Sequence, residues 1–182
     1  MNYVILDLEW DSTFFVKQKR FINQILQIGA VKLDQNFQII DTFEITVKSA
    51  ISKRVTGRFA RLTGITSDVM RTGVPFAQAV EKYNAWVGDD TVTMTWSNSD
   101  LYTILENEEN LLDGVKFKIE KYMDLQKFIQ NEMKLKGYED KNQVSLALAA
   151  EFLDVKTDDI DFHTAKDDSL VAAYLLKKCY HA

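Results

Sequence analysis

The chain has 182 residues, a formal net charge of −5, 46% hydrophobic residues and 27% charged ones. This balance is ordinary for one soluble domain with a sizeable core, and the acidity argues against a protein that coats nucleic acid broadly. No Lys or Arg precedes Asp7 and no apolar run approaches spanning length, so neither a signal peptide nor a membrane segment is expected; the lone Cys179 points to a reducing, cytoplasmic compartment.

Tyr3 to Leu6 reads as a buried strand running straight into Asp7-Leu8-Glu9-Trp10. Side chains alternate along a strand, so Asp7 and Glu9 share one face. Two carboxylates at the end of a core strand repel each other and resist burial. Either the strand has reached water there, or a cation sits between them. The polar, basic segment from Asp11 to Asn23 reads as a loop, and it holds Lys17, Lys19 and Arg20. Ile25 to Leu33 and Phe37 to Val47 read as two further strands, with Asp34-Gln35-Asn36 as a hairpin turn. Three strands in succession suggest an antiparallel meander.

The pattern then turns helical. Thr66 to Arg71 is a short helix with Thr66 as its N-cap, and Phe76 to Val87 follows helical spacing up to Gly88. Thr91 to Trp96 is a fourth strand. Ser99 to Leu112 is a helix with Leu101, Ile104, Leu105 and Leu112 on its apolar side. Lys121 to Leu125 is a short fifth strand. Helices follow at Leu125 to Lys136, Val144 to Leu153 and Thr164 to Tyr180. With no repeat, no linker and a single Pro75, the chain is expected to be one α/β domain over residues 1–182, built on one mixed sheet.

Charge is distributed unevenly. From Lys48 to Arg71 there are six basic residues (Lys48, Lys53, Arg54, Arg58, Arg61, Arg71) and one acid, Asp68, a segment charge of +5. Such a stretch is either a solvated face or a contact for phosphates.

Further chemistry sits late in the chain. Asp100 begins a helix just past the fourth strand, where an acid also suits the macrodipole. His163 precedes the last helix, and His181 lies at the C-terminus. An imidazole can accept a proton near neutral pH, although a lone His beside acids is also a common surface or capping residue. Asp167 and Asp168 both flank the stripe of Leu170, Val171, Tyr174 and Leu175, and helical spacing does not choose between them.

In order, these residues read Asp7-x-Glu9, Asp100 after a strand, and His163-x-Ala165-x-x-Asp168. The arrangement resembles the DEDDh 3′–5′ exonucleases, the proofreading-exonuclease-like branch of the ribonuclease H-like superfamily, over essentially the whole chain. Gln27-Ile28-Gly29-Ala30-Val31 is similar to that family's second-strand signature, and Leu62-Thr63-Gly64-Ile65 to the loop that meets the terminal nucleotide. The run from Leu62 to Trp86, and Trp96-Ser97-Asn98-Ser99-Asp100, look most like the histone-mRNA and small-RNA 3′-exonuclease subgroup. The resemblance implies a mixed five-stranded sheet flanked by helices. It implies two divalent ions, Mg²⁺ or Mn²⁺, held by Asp7, Glu9, Asp100 and Asp168, with His163 as general base. It thereby selects Asp168 over Asp167. It implies a single strand of nucleic acid with a free 3′ end as partner, with Leu8, Trp10, Arg58, Arg61, Leu62, Thr63, Trp96 and Asn98 as candidate contacts.

One departure stands out. The family usually carries a small residue after the Glu, and this chain has Trp10. A Trp there either stacks on the terminal base or packs beneath the last helix. The implied reaction is stepwise hydrolysis to nucleoside 5′-monophosphates. The alternatives are an oligoribonuclease-like action on very short oligomers and a binding module with a decayed site; the second would be expected to lack one or more acids, and all four are present.

Overall fold

The computed structural model describes residues 1–111, 114–140, 142–157, 160 and 162–180. Two of the expectations above, Leu112 on the fourth-strand helix and the terminal His181, fall outside them. The chain runs β1(Asn2–Phe15), β2(Arg20–Leu33), β3(Ile39–Lys48), α1(Gly57–Thr63), α2(Ser67–Thr72), β4(Val74–Pro75), α3(Phe76–Val87), β5(Thr91–Thr95), α4(Asn98–Asn110), β6(Lys121–Asp124), α5(Leu125–Leu135), α6(Leu146–Phe152) and α7(Ala165–Tyr180). One mixed sheet has the order β4-β3-β2-β1-β5-β6. The meander β1–β2–β3 is antiparallel, and β5 and β6 continue it in parallel from β1. The sixth strand is the two-residue β4 beside β3, added to the five expected.

Alternation along the strands builds a core on each face. Ile5, Val31, Leu33 and Met94 pack against α5, α6 and α7. Val4, Leu6, Leu8, Ile28 and Ala30 pack against α3 and against Ile104 of α4. A smaller cluster of Leu26, Phe59, Ile65 and Met70 lies under α1 and α2.

The segment from Asp11 to Asn23 is not a loop. β1 runs on to Phe15 and pairs with β2 from Arg20, so only a tight turn separates them. Backbone pairing holds the segment extended although its composition is polar and basic, because strand preference follows context more than residue type. The register slips between the Glu9–Gln27 and Trp10–Ile25 pairs, leaving one extra residue on β2. That bulge lets Ile25 and Ile28, three residues apart, reach the same core.

Two helical expectations also change. Leu62 and Thr63 belong to α1, which is too short for periodicity to reveal and is defined by its ends. The Thr56 side chain accepts from the Phe59 N–H, and Gly64 closes the helix at φ 72. On α4 the buried face is Asp100, Thr103, Ile104, Asn107 and Asn110, while Leu105 is exposed. Asn110 is buried there as it accepts from the Arg20 guanidinium at 3.2 Å, and Asn107 as it bonds to β2 backbone that β3 does not cover. Asn107 Oδ1 accepts from Ile25 N–H at 3.1 Å, and its amide donates to the Asn23 carbonyl at 2.6 Å.

The layers approach closely at Gly29 on β2. A methyl group there would lie 2.1 Å from the Ala165 carbonyl carbon and 2.2 Å from the Lys166 nitrogen. The first turn of α7 therefore rests directly on the sheet. Around it, Gln27 Oε1 accepts from Ala165 N–H at 3.0 Å, and the Ser169 hydroxyl lies 3.2 Å from the Gly29 carbonyl. Gly29→Ala must displace backbone rather than a side chain. It is expected to cost about 3 kcal/mol or more, lowering the melting temperature by roughly 10 °C in a thermal denaturation scan; a shift under about 2 °C would refute this account.

Candidate active site

Asp7 and Glu9 project from β1 on the face that α7 covers. Asp7 stands directly across from Gly29, so the helix that crosses Gly29 brings its own first turn over Asp7. Asp168 lies in that turn. One oxygen each of Asp7, Glu9 and Asp168 lie within 4.8 Å of one another. Asp168, and not Asp167, belongs to this group.

Asp100 approaches from the other side. β5 pairs with β1 only as far as Ile5, opposite Met94, and beyond that point β1 has a free edge. The backbone N–H of Leu8 lies near enough to the Asp100 carboxylate to favour its charged form. Asp100 is only 4% exposed, and its Oδ1 has no hydrogen-bond partner among the described residues. His163 is exposed, has φ 77, and directs its backbone N–H toward Asp168 Oδ1 at 3.4 Å.

These four acids disturb one another. Burial raises Asp7 well above the ordinary carboxylate range, and Asp100, Asp168 and Glu9 push it further. Burial, then Asp168 and Asp100, pushes Glu9 up to about 8. Burial raises Asp100 to about 7 against the pull of nearby backbone N–H groups, including that of Leu8. Asp168 is also raised by burial, with His163 opposing. Among the described residues no Lys or Arg pairs with any of the four. Concentrated carboxylates with an unpartnered buried oxygen and no basic neighbour fit a divalent cation with oxygen ligands.

The expected contacts divide. Leu8 is 3% exposed, so its side chain belongs to the core and only its backbone reaches the site. Trp10 does not lie beneath the last helix. It faces away from Glu9, packs against the α3-side core, and lines a groove of about 490 Å³ with Ser12, Asn23, Arg58 and Leu62. Leu62 is 49% exposed, and Arg58 and Arg61 are exposed along α1. Thr63 is tied into its own helix end, donating to the Phe59 carbonyl and accepting from Ile65 N–H. Trp96 donates from Nε1 to the Val144 carbonyl at 3.2 Å, and Asn98 Oδ1 accepts from the Tyr122 hydroxyl at 2.9 Å. Internal bonds thus engage Thr63, Trp96 and Asn98.

Three positioning residues escaped sequence reasoning. Gln27 and Ser169 fix the first turn of α7. Asp11 is buried and accepts from Thr56 N–H at 2.7 Å and its hydroxyl at 2.8 Å, fastening α1 to β1. The signal for Asp11 was the alternation Asp7, Glu9, Asp11, which would have shown had the strand been read past Trp10.

An exonuclease family model, RNase_T, matches residues 4–176. A search of curated proteins finds no match. Among solved structures, cell-death related nuclease 4 (CRN-4) is 22% identical with a TM-score of 0.82, over 99% of this chain and 64% of that one. The nuclease domain of 3′hExo, a DEDDh family member bound to rAMP, is 21% identical with a TM-score of 0.82, over 99% and 92%. E. coli exonuclease I in complex with a dA16 oligonucleotide is 16% identical with a TM-score of 0.71, over 97% and 40%. The chain therefore spans under two thirds of the first of these, and at such identities the likeness is one of fold. The family match covers nearly the whole chain and makes this protein a member of the RNase_T exonuclease family.

Proposed function

We propose that this chain is one metal-dependent 3′–5′ exonuclease domain that shortens single-stranded nucleic acid to nucleoside 5′-monophosphates. The observation that carries the reading is the convergence of Asp7, Glu9 and Asp168 beside the buried, half-satisfied Asp100. The substrate class draws support from the rAMP in the 3′hExo structure and the dA16 in that of exonuclease I.

Asp7, Glu9, Asp100 and Asp168 would hold two ions, and all-oxygen ligation suits Mg²⁺ or Mn²⁺. When bound, such ions lower the pKa of a water and offset charge on the departing 3′ oxygen. The four carboxylates balance the charge of two divalent ions, so the loaded site is near neutral before the phosphate arrives. His163 stands exposed at the lip, beside Asp168, and accepts the proton of the attacking water. The strand upstream of the scissile bond follows the groove of Trp10, Arg58 and Leu62, where α1 offers Arg58 and Arg61 to phosphates.

End-labelled RNA and DNA strands incubated with Mg²⁺ or Mn²⁺ should shorten stepwise from the 3′ end. Asp7→Ala should lower the rate by at least about 10³-fold, on the scale of losing a main electrostatic stabiliser. Undiminished activity in the variant, or internal cleavage products, would overturn the reading.

Phosphate contact through α1 makes binding depend on salt. If Arg58 and Arg61 each touch a phosphate, Arg58→Ala/Arg61→Ala should flatten the slope of log affinity against log salt by about 1.4. An unchanged slope would place these arginines outside the path of the strand.

The raised carboxyls also set a stability profile. Folding raises their pKa values, so the stabilisation they give without metal is full below about pH 4 and is lost as pH climbs through about 7 for Asp100 and about 8 for Glu9. In EDTA the melting temperature should be lower at pH 8.5 than at pH 5.5. Mn²⁺ should close most of that gap, and Asp7→Asn should narrow it without metal. A melting temperature in EDTA that stays level or rises over this interval would contradict the electrostatic account.

A further inference from the structure

The ribbon formed by the ends of β1 and β2 reaches beyond the acidic site. Alternation places Trp10, Ser12 and Phe14 on one face of β1, opposite Ile25, Asn23 and Phe21. Trp10, Ser12 and Asn23 already line the groove beside α1, so the Phe14–Phe21 pair continues that face outward. Phe14 is 48% exposed and Phe21 66%, and their rings meet edge to face at 5.4 Å. A cleft of about 300 Å³ opens between Phe14 to Lys17 and the side chains of Ile51 and Leu111, at the lower end of the range for small-ligand pockets.

Charge at the tip is one-sided. Residues 14–21 carry Lys17, Lys19 and Arg20 and no acid, in a chain of net charge −5. Lys17 and Lys19 are exposed, and among the described residues no carboxylate lies within ion-pair distance of either. Lys19 stands at φ 54, a conformation that Gly or Asn adopts at lower cost. The root of the ribbon is held firmly. Arg20 pairs with Glu106 at 3.0 Å, the Asn23 N–H donates to Glu106 at 2.9 Å, and Ile25 N–H donates to Asn107. The face is preorganised, so little ordering cost remains when something binds it.

We propose that this ribbon is a second binding site for single-stranded nucleic acid, with Phe14 and Phe21 as a base-stacking platform and Lys17 and Lys19 as phosphate contacts. The proposal rests on the exonuclease reading and adds to it a dependence on strand length. Phe14 lies five residues beyond Glu9, about 17 Å along a strand, and on the opposite face, so a strand reaching it rounds the open edge of β1 through the groove that Asp11 and Thr56 line together with Trp10 and Ser12. Stacked nucleotides rising 3.4 Å each need about five steps to cover that distance, so a dinucleotide touches the acids alone. Stacking accepts any base, which suits an enzyme that removes residues in succession whatever the sequence. A protein partner fits the patch less well, because lysines are depleted at protein interfaces and here they flank the rings with no acid between.

Fluorescence anisotropy with a long labelled strand in EDTA reads binding without hydrolysis. Phe14→Ala/Phe21→Ala should weaken it about tenfold or more, on the scale of one or two lost base stacks. Lys17→Ala/Lys19→Ala should weaken it and flatten the salt slope by about 1.4. In the presence of Mn²⁺ both variants should raise KM for the long strand and leave kcat/KM for a dinucleotide within about twofold of wild type. Should the aromatic variant fail to fold by circular dichroism, the lysine variant at the exposed turn carries the test. Unchanged long-strand binding in the variants, or equal losses on dinucleotide and long strand, would overturn the ribbon site. So would altered self-association with nucleic-acid binding intact, which would mark a protein-docking surface. A wild-type protein that hydrolyses nothing sinks the exonuclease reading instead, and the EDTA measurement still decides the ribbon.

Discussion

The first turn of α7 lies against Gly29 with no space for a methyl group, and the acidic site depends on that approach. Asp7 and Glu9 come from the first strand and Asp168 from the last helix, so nothing local in the chain brings them together. Gly29 pairs with Asp7, Gln27 with Glu9, and both β2 residues also touch the start of α7. The same two positions therefore set the register of β1 and the height of the helix above it. Ser169 closes the arrangement by linking the Gly29 carbonyl to the second turn of the helix.

Asp11 shows what the fold does with an acid it uses for structure. It is buried on the same strand as Asp7 and Glu9, yet Thr56 supplies two short bonds to its carboxylate. Asp7, Glu9 and Asp168 crowd one another instead, and among the described residues one Asp100 oxygen has no hydrogen-bond partner. A protein of marginal stability tolerates such an arrangement where function requires it and the remaining core compensates. The two cores on either face of the sheet, well supplied with Ile, Leu and Val, provide that compensation.

Much of this was legible in the sequence. The apolar run before Asp7, the helix capped at Thr66, the periodic helix from Phe76, and the final amphipathic helix reflect local rules of periodicity and capping. The strand from Trp10 to Phe15 was hidden because long-range pairing, not composition, makes it a strand. α1 was hidden because it is too short to show a period. The buried face of α4 is hard to read because Asn107 and Asn110 look like surface residues until the unpaired β2 backbone that Asn107 bonds, and the Arg20 guanidinium from which Asn110 accepts, are known. At the site, the motif order named Asp7, Glu9 and Asp168, which the fold brings within 4.8 Å of one another. Placing Trp10 on the far side of the sheet from Glu9 required the alternation of a strand that had been read as ending there.

β5 stops opposite Ile5 while β1 continues to Phe15, and this mismatch has its own consequence. An edge strand of that length is a template for β-augmentation, through which chains recruit one another and aggregate. The chain blunts this edge without another strand: the Asp100 carboxylate stands near the N–H of Leu8, and Thr56 anchors α1 against Asp11. A polynucleotide cannot form a β-ladder, so it can run beside this backbone without being mistaken for a missing strand. The acidic notch sits where the sheet is left unfinished, and what covers the open edge is side chains and a short helix rather than another strand.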